Sequence, residues 1–458
     1  MTAIDRRDAL TREKRSSALS HYHGALSSLV ADTAGEEIPQ RVRTFTQAAY
    51  DDILASLRAL SGICDAAIVV HGAVGCAAAA NTLAEPGRAR WYSVNLSERD
   101  SILGSEEPLR QTILRAIAEG ATVVFVVGTP VVAINNDDVH SVLLELANET
   151  ATPVLHVNTD GFRSKTPLSG FDAAFHALLR LVEASAERED FLNVAAVSEN
   201  VHNLAAVAAA LDALSISWNP LPRLSTLASL RKAGRARATV TLDADESEYL
   251  ALGLEKNFAV PWLRAPAPVG LAATRRFLLA IGAAFGVEDK AEAYATASER
   301  SLAVTLAAQP LAGKRGFLQV DTALVEGFTA LVRELGGEVA GLALTGVDLN
   351  NRAHLARLDA LGDIPAMVAV GQPFEVANIL ARTPVDFYVG PEQVAFAARF
   401  GATPVSLRDV AYLGYAGMEA FAARIAAPTP DFRERIRPLY SEGWLKKTGN
   451  WYVKREVR

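Results

Sequence analysis

Cysteine is nearly absent from this 458-residue chain: Cys64 and Cys76 are its only two. That excludes a disulfide scaffold and a metal site of four thiolates supplied by this chain alone. Long apolar runs are missing as well. The longest uncharged, mostly apolar stretch, Gly120–Ile134, is fifteen residues broken by Gly128 and Pro130. A spanning helix needs about 20 apolar residues, so no membrane protein is expected. The positive mean hydropathy, +0.15, comes from Ala, Val and Leu spread along the chain. Residues Met1–Arg15 mix acids and bases with no apolar core, which is no secretory signal. No Gly-x-x-x-x-Gly-Lys-Ser/Thr loop occurs, and no clean Gly-x-Gly-x-x-Gly follows a strand, so this chain is expected to bind no nucleotide. A formal net charge of −7 argues against nucleic acid as a partner. What remains is a large, soluble, cytoplasmic α/β protein.

Hydrophobic runs predict strands over Ala66–Val70, Thr122–Val127, Val154–Val157, Val194–Val197, Thr239–Leu242, Gly316–Val320, Ala366–Val370 and Phe387–Val389. Most are continuously apolar, as parallel strands covered on both faces are. Helical periodicity lies between them, at Glu107–Glu119, Val139–Ala147, Ala323–Leu335 and Glu375–Ala381. Repeated strand–helix–strand units mean a parallel α/β fold. A single closed barrel is the alternative, but the pattern restarts near Leu192 and near Lys314. Three doubly wound parallel-sheet domains are therefore expected, over 41–190, 191–313 and 314–430, after an N-terminal helical arm, 1–40. A basic extension, 431–458, closes the chain with eight Lys/Arg against four Asp/Glu and with Trp444 and Trp451. It reads either as a solvated tail or as a segment wrapping a partner subunit.

The densest local chemistry is His71-Gly72-Ala73-Val74-Gly75-Cys76. A strand ends there, two glycines allow a tight turn, and a thiol sits where open α/β sheets place ligands. A following Ala-rich helix would put Cys76 near a helix N-terminus, which favours thiolate. The competing reading is a small residue packing a strand–helix junction. Cys64, twelve residues earlier, forms no zinc signature with Cys76 and reads as a buried structural cysteine. Asp137 and Asp138 precede a predicted helix and read as caps before they read as acid–base or metal groups.

Taken in order, these motifs resemble component 1 of the nitrogenase superfamily. His71-Gly72-x-x-Gly75-Cys76 is similar to the family's His-Gly-x-x-Gly-Cys turn. Asn95–Leu109, Thr129-Pro130 with Asn136-Asp137-Asp138-Val139, and Val157–Phe162 resemble successive family segments. So do Gly371-Gln372-x-Phe374-Glu375, Asp386–Gly390 and Gly414-Tyr415-x-Gly417. The resemblance runs from about residue 45 to 425.

That resemblance implies an iron–sulfur cluster shared at a subunit interface, with Cys76 as metal ligand and His71 and Gly75 in the cofactor-binding turn. Cys64 stands in for a missing first cysteine only if its loop is rearranged, and Asp65 or Asp100 is a conceivable odd ligand. The family's first cysteine would fall near Thr46–Asp51, its third is replaced by Thr129, and Leu413 takes the place of a cofactor-bearing histidine. The implied function is a subunit of a nitrogenase-like reductase. It would be paired with a related Cys-rich subunit as a heterodimer or a pair of heterodimers, and fed by an ATP-dependent iron protein. The alternatives are a scaffold for metal-cofactor assembly, or a structural or regulatory subunit that has lost its metals.

Overall fold

The computed structural model describes Arg15, 18–19, 21–35, Ile38, 51–76, 88–162, Ser164, 166–368, 373–391, Ala397 and 400–427. The expected C-terminal extension, with Trp444 and Trp451, and the Gly371-Gln372 motif lie outside these residues.

Near the N-terminus lie a helix, Leu26–Thr33, and before it a strand, β1 (Tyr22–Ala25), that the sequence did not announce. The first sheet follows: β2 (Ala66–His71), β3 (Arg90–Ser93), β4 (Val123–Gly128) and β5 (Val154–Val157), in the order β3-β2-β4-β5. The second is β6 (Glu189–Ala196), β7 (Ser217–Pro222) and β8 (Ala236–Thr241), ordered β7-β6-β8. The third takes β9 (Arg315–Val320), β10 (Glu338–Leu344), β11 (Pro365–Val368), β12 (Phe387–Gly390) and β13 (Thr403–Ser406), with β1 on its edge. Every pairing within the sheets is parallel except β1 with β11. The fold is thus doubly wound α/β and not a closed barrel.

Side-chain alternation explains why β2 and β4 read as unbroken apolar runs. Ile68, Val70, Phe125 and Val127 face one core, while Ala67, Val69, Val124 and Val126 face another beneath the helices Glu106–Ala118 and Val139–Glu149. The first core runs on into the second sheet through Phe191, Ala195 and Leu221. The other face of β6, with Leu192, Val194 and Ala196, packs with Leu318, Leu342 and Val389 of the third sheet. The sheets are welded through shared cores.

Arg15 fastens them a second time. Its guanidinium, 2% exposed, donates to Asp172 at 2.5 and 3.1 Å, to Asp348 at 3.2 Å and to the Asp245 carbonyl at 3.3 Å. Asp172 lies on the helix Leu168–Leu179 behind the first sheet, Asp245 on Ala244–Phe258 after β8, and Asp348 after β10. Burial alone would lower the Arg15 pKa, but Asp172 and Asp348 raise it above its ordinary value. Asp172 itself is pushed up to about 6 by burial in spite of Arg15. Removing one partner from a buried ion pair costs roughly 3–5 kcal/mol, because the other charges stay buried without compensation. Arg15→Met is expected to lower unfolding stability in urea by about 3 kcal/mol, and Asp172→Asn added to it to restore part of the loss. Equal urea midpoints for wild type and Arg15→Met would contradict this role.

Candidate functional site

The carboxyl ends of the first sheet's strands form the candidate site. β2 ends at His71, the turn passes through Gly72, and Cys76 follows, half-buried, beside exposed Val74 and Gly75. The Leu96 amide donates to the Gly72 carbonyl at 3.0 Å, tying the turn to the loop after β3. Thr129, at the end of β4, is fully buried and donates its hydroxyl to the His71 carbonyl at 2.8 Å. A Cβ at Gly72 would lie 2.2 Å from the Thr129 hydroxyl oxygen, so only glycine lets the turn close on it. The residue in the expected third cysteine's place therefore braces the turn instead of offering a ligand.

The His71 imidazole, equally buried, is gripped from a third side. Its Nε2 lies 2.9 Å from the Ser105 hydroxyl, which in turn donates to the Asp137 carboxylate. Burial lowers the His71 pKa to about 4, against a smaller opposing pull from Glu106. Asp138, and not Asp137, caps the helix Val139–Glu149 by accepting from the Ser141 amide at 3.0 Å. The pairing of Asp137 with Ser105 links residues thirty-two apart in the chain, which no local motif announces.

The other expected ligands are not brought to this turn. Cys64 is exposed, not buried as expected, and sits in the turn before β2. A six-residue strand spans roughly 20 Å, so Cys64 and Cys76 stand at opposite ends of β2. Asp65 is engaged there too, accepting from the Leu227 amide at 3.0 Å. Asp100 belongs to a capping box with Ser97. Asp51 does lie near the strand ends: its Oδ2 is 3.6 Å from the Cβ position of Gly161, which also touches Pro130. It caps the helix Asp52–Ser61 by accepting from the Leu54 amide at 2.9 Å. Among the described residues, no group of three or more His, Cys, Asp or Glu is arranged to hold a metal ion. One thiolate cannot complete a cubane. The thiol of Cys76 is half-buried, and a Cβ at Gly75 beside it would meet open space.

A second polar region lies where the three sheets meet. Glu199 follows β6, Asp243, Asp245 and Glu246 follow β8, and Asp321 follows β9; the first four are buried and Asp321 is half-buried. Glu246 accepts from the Ser198 amide at 3.1 Å, and Asp245 accepts from the Ala323 amide at 3.0 Å. Asp321 accepts from the Thr345 hydroxyl and is hydrogen-bonded to Asp243. Burial, reinforced by Glu246, pushes Glu199 up to about 8. Asp321 rises to about 8 for the same reasons, and Asp243 is held well above the carboxylate range. Leu413 is buried beside this region, its amide and that of Tyr412 donating to Asn203 Oδ1 at 3.1 and 2.8 Å. These are hard oxygen donors without a thiol, so the junction does not fit an anionic, thiolate-anchored metal–sulfur group.

Folded-state pKa values raised above those of the unfolded chain contribute stability at low pH that is lost as pH rises through them. The histidines with lowered values, His71, His156 and His354 at about 4, exert their opposite effect below their ordinary 6.5. Between about pH 6.5 and 8.5 the carboxyls therefore set the sign. Wild-type urea midpoints are expected to fall across that window, and Asp321→Asn to fall less steeply. An unchanged slope in the variant would show that Asp321 holds no proton there.

Comparison with known proteins follows the same geometry. A family model described as nitrogenase component 1 type oxidoreductase matches residues 52–429. The nitrogenase iron-molybdenum cofactor biosynthesis protein NifE of Nostoc sp. is 26% identical over 437 residues, covering 88% of this chain and 85% of that protein. NifE of Methanococcus maripaludis is 27% identical over 244 residues, and the chain spans about half (50%) of its length. The nitrogenase molybdenum-iron protein alpha chain of Methanothermobacter marburgensis matches at 26% over 210 residues, 43% of each chain. The solved structure of nitrogenase Cp1 at pH 6.5 superposes with a TM-score of 0.73 at 18% identity, covering 90% of this chain and 98% of that one. The chain belongs to the nitrogenase component 1 type oxidoreductase family.

Proposed function

We propose that this chain is a subunit of a scaffold on which a metal cofactor is assembled, working with a related, unlike subunit. The observation that carries this reading is the similarity to NifE proteins: that of Nostoc aligns along 88% of the chain and that of Methanococcus maripaludis along 50%, beside 43% for the alpha chain of Methanothermobacter. The resemblance in the sequence first favoured a reductase subunit with a scaffold as the alternative, and the relatives reverse that order. The carboxyl-rich junction and Leu413 support the reversal, since neither offers a resident cofactor a soft anchor.

Cys76 would give one thiolate to an iron–sulfur cluster whose remaining ligands come from the partner. When bound, that group would supply one-electron chemistry at the interface. The chain's own residues hold the turn: Thr129 braces its backbone, and His71, Ser105 and Asp137 fix it to the neighbouring loops. The surface around it is suited to cover. Val74, Ile102, Leu103, Ile134 and Phe162 are exposed, each in a segment that follows one of β2, β3, β4 or β5. Large apolar residues gathered at one end of a domain mark an interaction face. An ATP-dependent iron protein would be the electron source for the complex, and the cytoplasm its place. No helix among the described residues is long and apolar enough to cross a membrane.

The reading is tested by co-expressing the chain anaerobically with an unlike component 1 subunit and an iron protein. A scaffold complex transfers metal cofactor to a cofactor-free reductase and shows no substrate turnover of its own. Steady turnover by the complex without transfer would establish the reductase reading instead. Ile102→Asp with Leu103→Asp should weaken subunit association at least tenfold in sedimentation while leaving the isolated fold intact. Undiminished association would remove this face from the interface.

A further inference from the structure

The first sheet carries two imidazoles, His71 buried and His156 half-buried, and the thiol turn uses only one nitrogen of the first. β2 and β4 pair with His71 opposite Gly128, and β4 and β5 pair with Val126 opposite His156. Alternation puts His71 on the face of Ala67 and Val69, Gly128 on that of Val124 and Val126, and His156 on that of Val154. All three therefore share one face, with the glycine between the histidines. A Cβ at Gly128 would lie 3.8 Å from His156 Nε2, so the missing side chain leaves room for that ring to lean toward His71.

The hydrogen-bond chain fixes which His71 nitrogen is available. Ser105 spends its proton on Asp137, so its oxygen accepts from Nε2–H of His71, and Nδ1 keeps the lone pair. That Nδ1 is buried and has no hydrogen-bond partner among the described residues. An imidazole held through one nitrogen, here by a hydroxyl that is itself bound to a carboxylate, and free on the other has the orientation of a metal-ligating histidine. A third ring is near. His140, exposed on the helix Val139–Glu149, is felt electrostatically at His156, which is itself half-buried and so opens the pair to solvent.

We propose that His71 Nδ1 and His156, with His140 at the mouth, form a binding site for a borderline divalent transition-metal ion of the zinc, cobalt or ferrous class, separate from the thiol turn. Imidazole suits these ions, and alkaline-earth ions prefer oxygen. The described rings are not yet arranged as a three-ligand set, so binding brings the exposed His140 ring inward or leaves the remaining positions to water. The site stands independently of the scaffold reading.

The test uses the full purified chain titrated with Co2+, followed by visible absorption and competed with Zn2+. Wild type should take up one Co2+ per chain with ligand-field bands of nitrogen and oxygen coordination. His156→Gln should weaken that binding at least tenfold, and His140→Ala several-fold. Asp137→Asn should weaken it without removing a ligand. Cys76→Ser should leave it unchanged. Because His71→Ala removes a buried anchor of the turn, His156→Gln is the deciding variant. Binding that survives it unaltered, that vanishes in Cys76→Ser, or that never saturates at one equivalent in wild type would overturn the proposal.

Discussion

One thiolate cannot close an iron–sulfur cubane, and the role proposed for Cys76 depends on that limit. The thiol is not sealed in a core, and among the described residues no group of ligands is gathered to hold a metal ion. It stands half-buried on a turn braced by Thr129 and pinned through His71, Ser105 and Asp137. On the proposed reading something outside the chain completes the site. The exposed apolar side chains on the neighbouring strand-end segments are the physical counterpart of the same need.

The junction of the three sheets is built on the opposite chemistry. Carboxyls crowd the ends of β6, β8 and β9, keep protons through burial, and meet the Arg15 guanidinium at one side through Asp245. A soft, anionic metal–sulfur group finds no thiolate there among the described residues, only hard oxygen donors. The junction is an ion-pair and carboxyl network that fastens the sheets. A cofactor under assembly would accordingly be handled at the shared face and not at the junction.

Much of the fold was legible because strands such as β2, β4 and β12 are buried along their whole length and read as apolar runs. β1, β3, β7, β10 and β13 were missed for physical reasons. Arg90–Ser93 is an exposed edge strand with no apolar run, and Ser217–Pro222 contains two prolines. Tyr22–Ala25 becomes a strand only by pairing with β11, more than three hundred residues away. Glu338–Leu344 is diluted by alanine and glycine. At the site, His71, Gly75 and Cys76 were legible as a strand-end turn. The grip of Ser105 and Asp137 on His71 was not, because it joins residues from three different segments. Cys64 was misread because a turn cysteine and a core cysteine look alike until the strand's direction is known. The junction carboxyls could not be found at all, since they follow three different strands, β6, β8 and β9, and only the packing of sheets assembles them.

The most direct measurement is the iron and sulfide content of the chain purified anaerobically alone and with its unlike subunit. A donor of one thiolate should hold almost no cluster alone, gain one on association, and lose it when Cys76 is replaced by Ser. A full cluster in the isolated chain, or an unchanged iron content in the Cys76→Ser complex, would contradict the shared-ligand account.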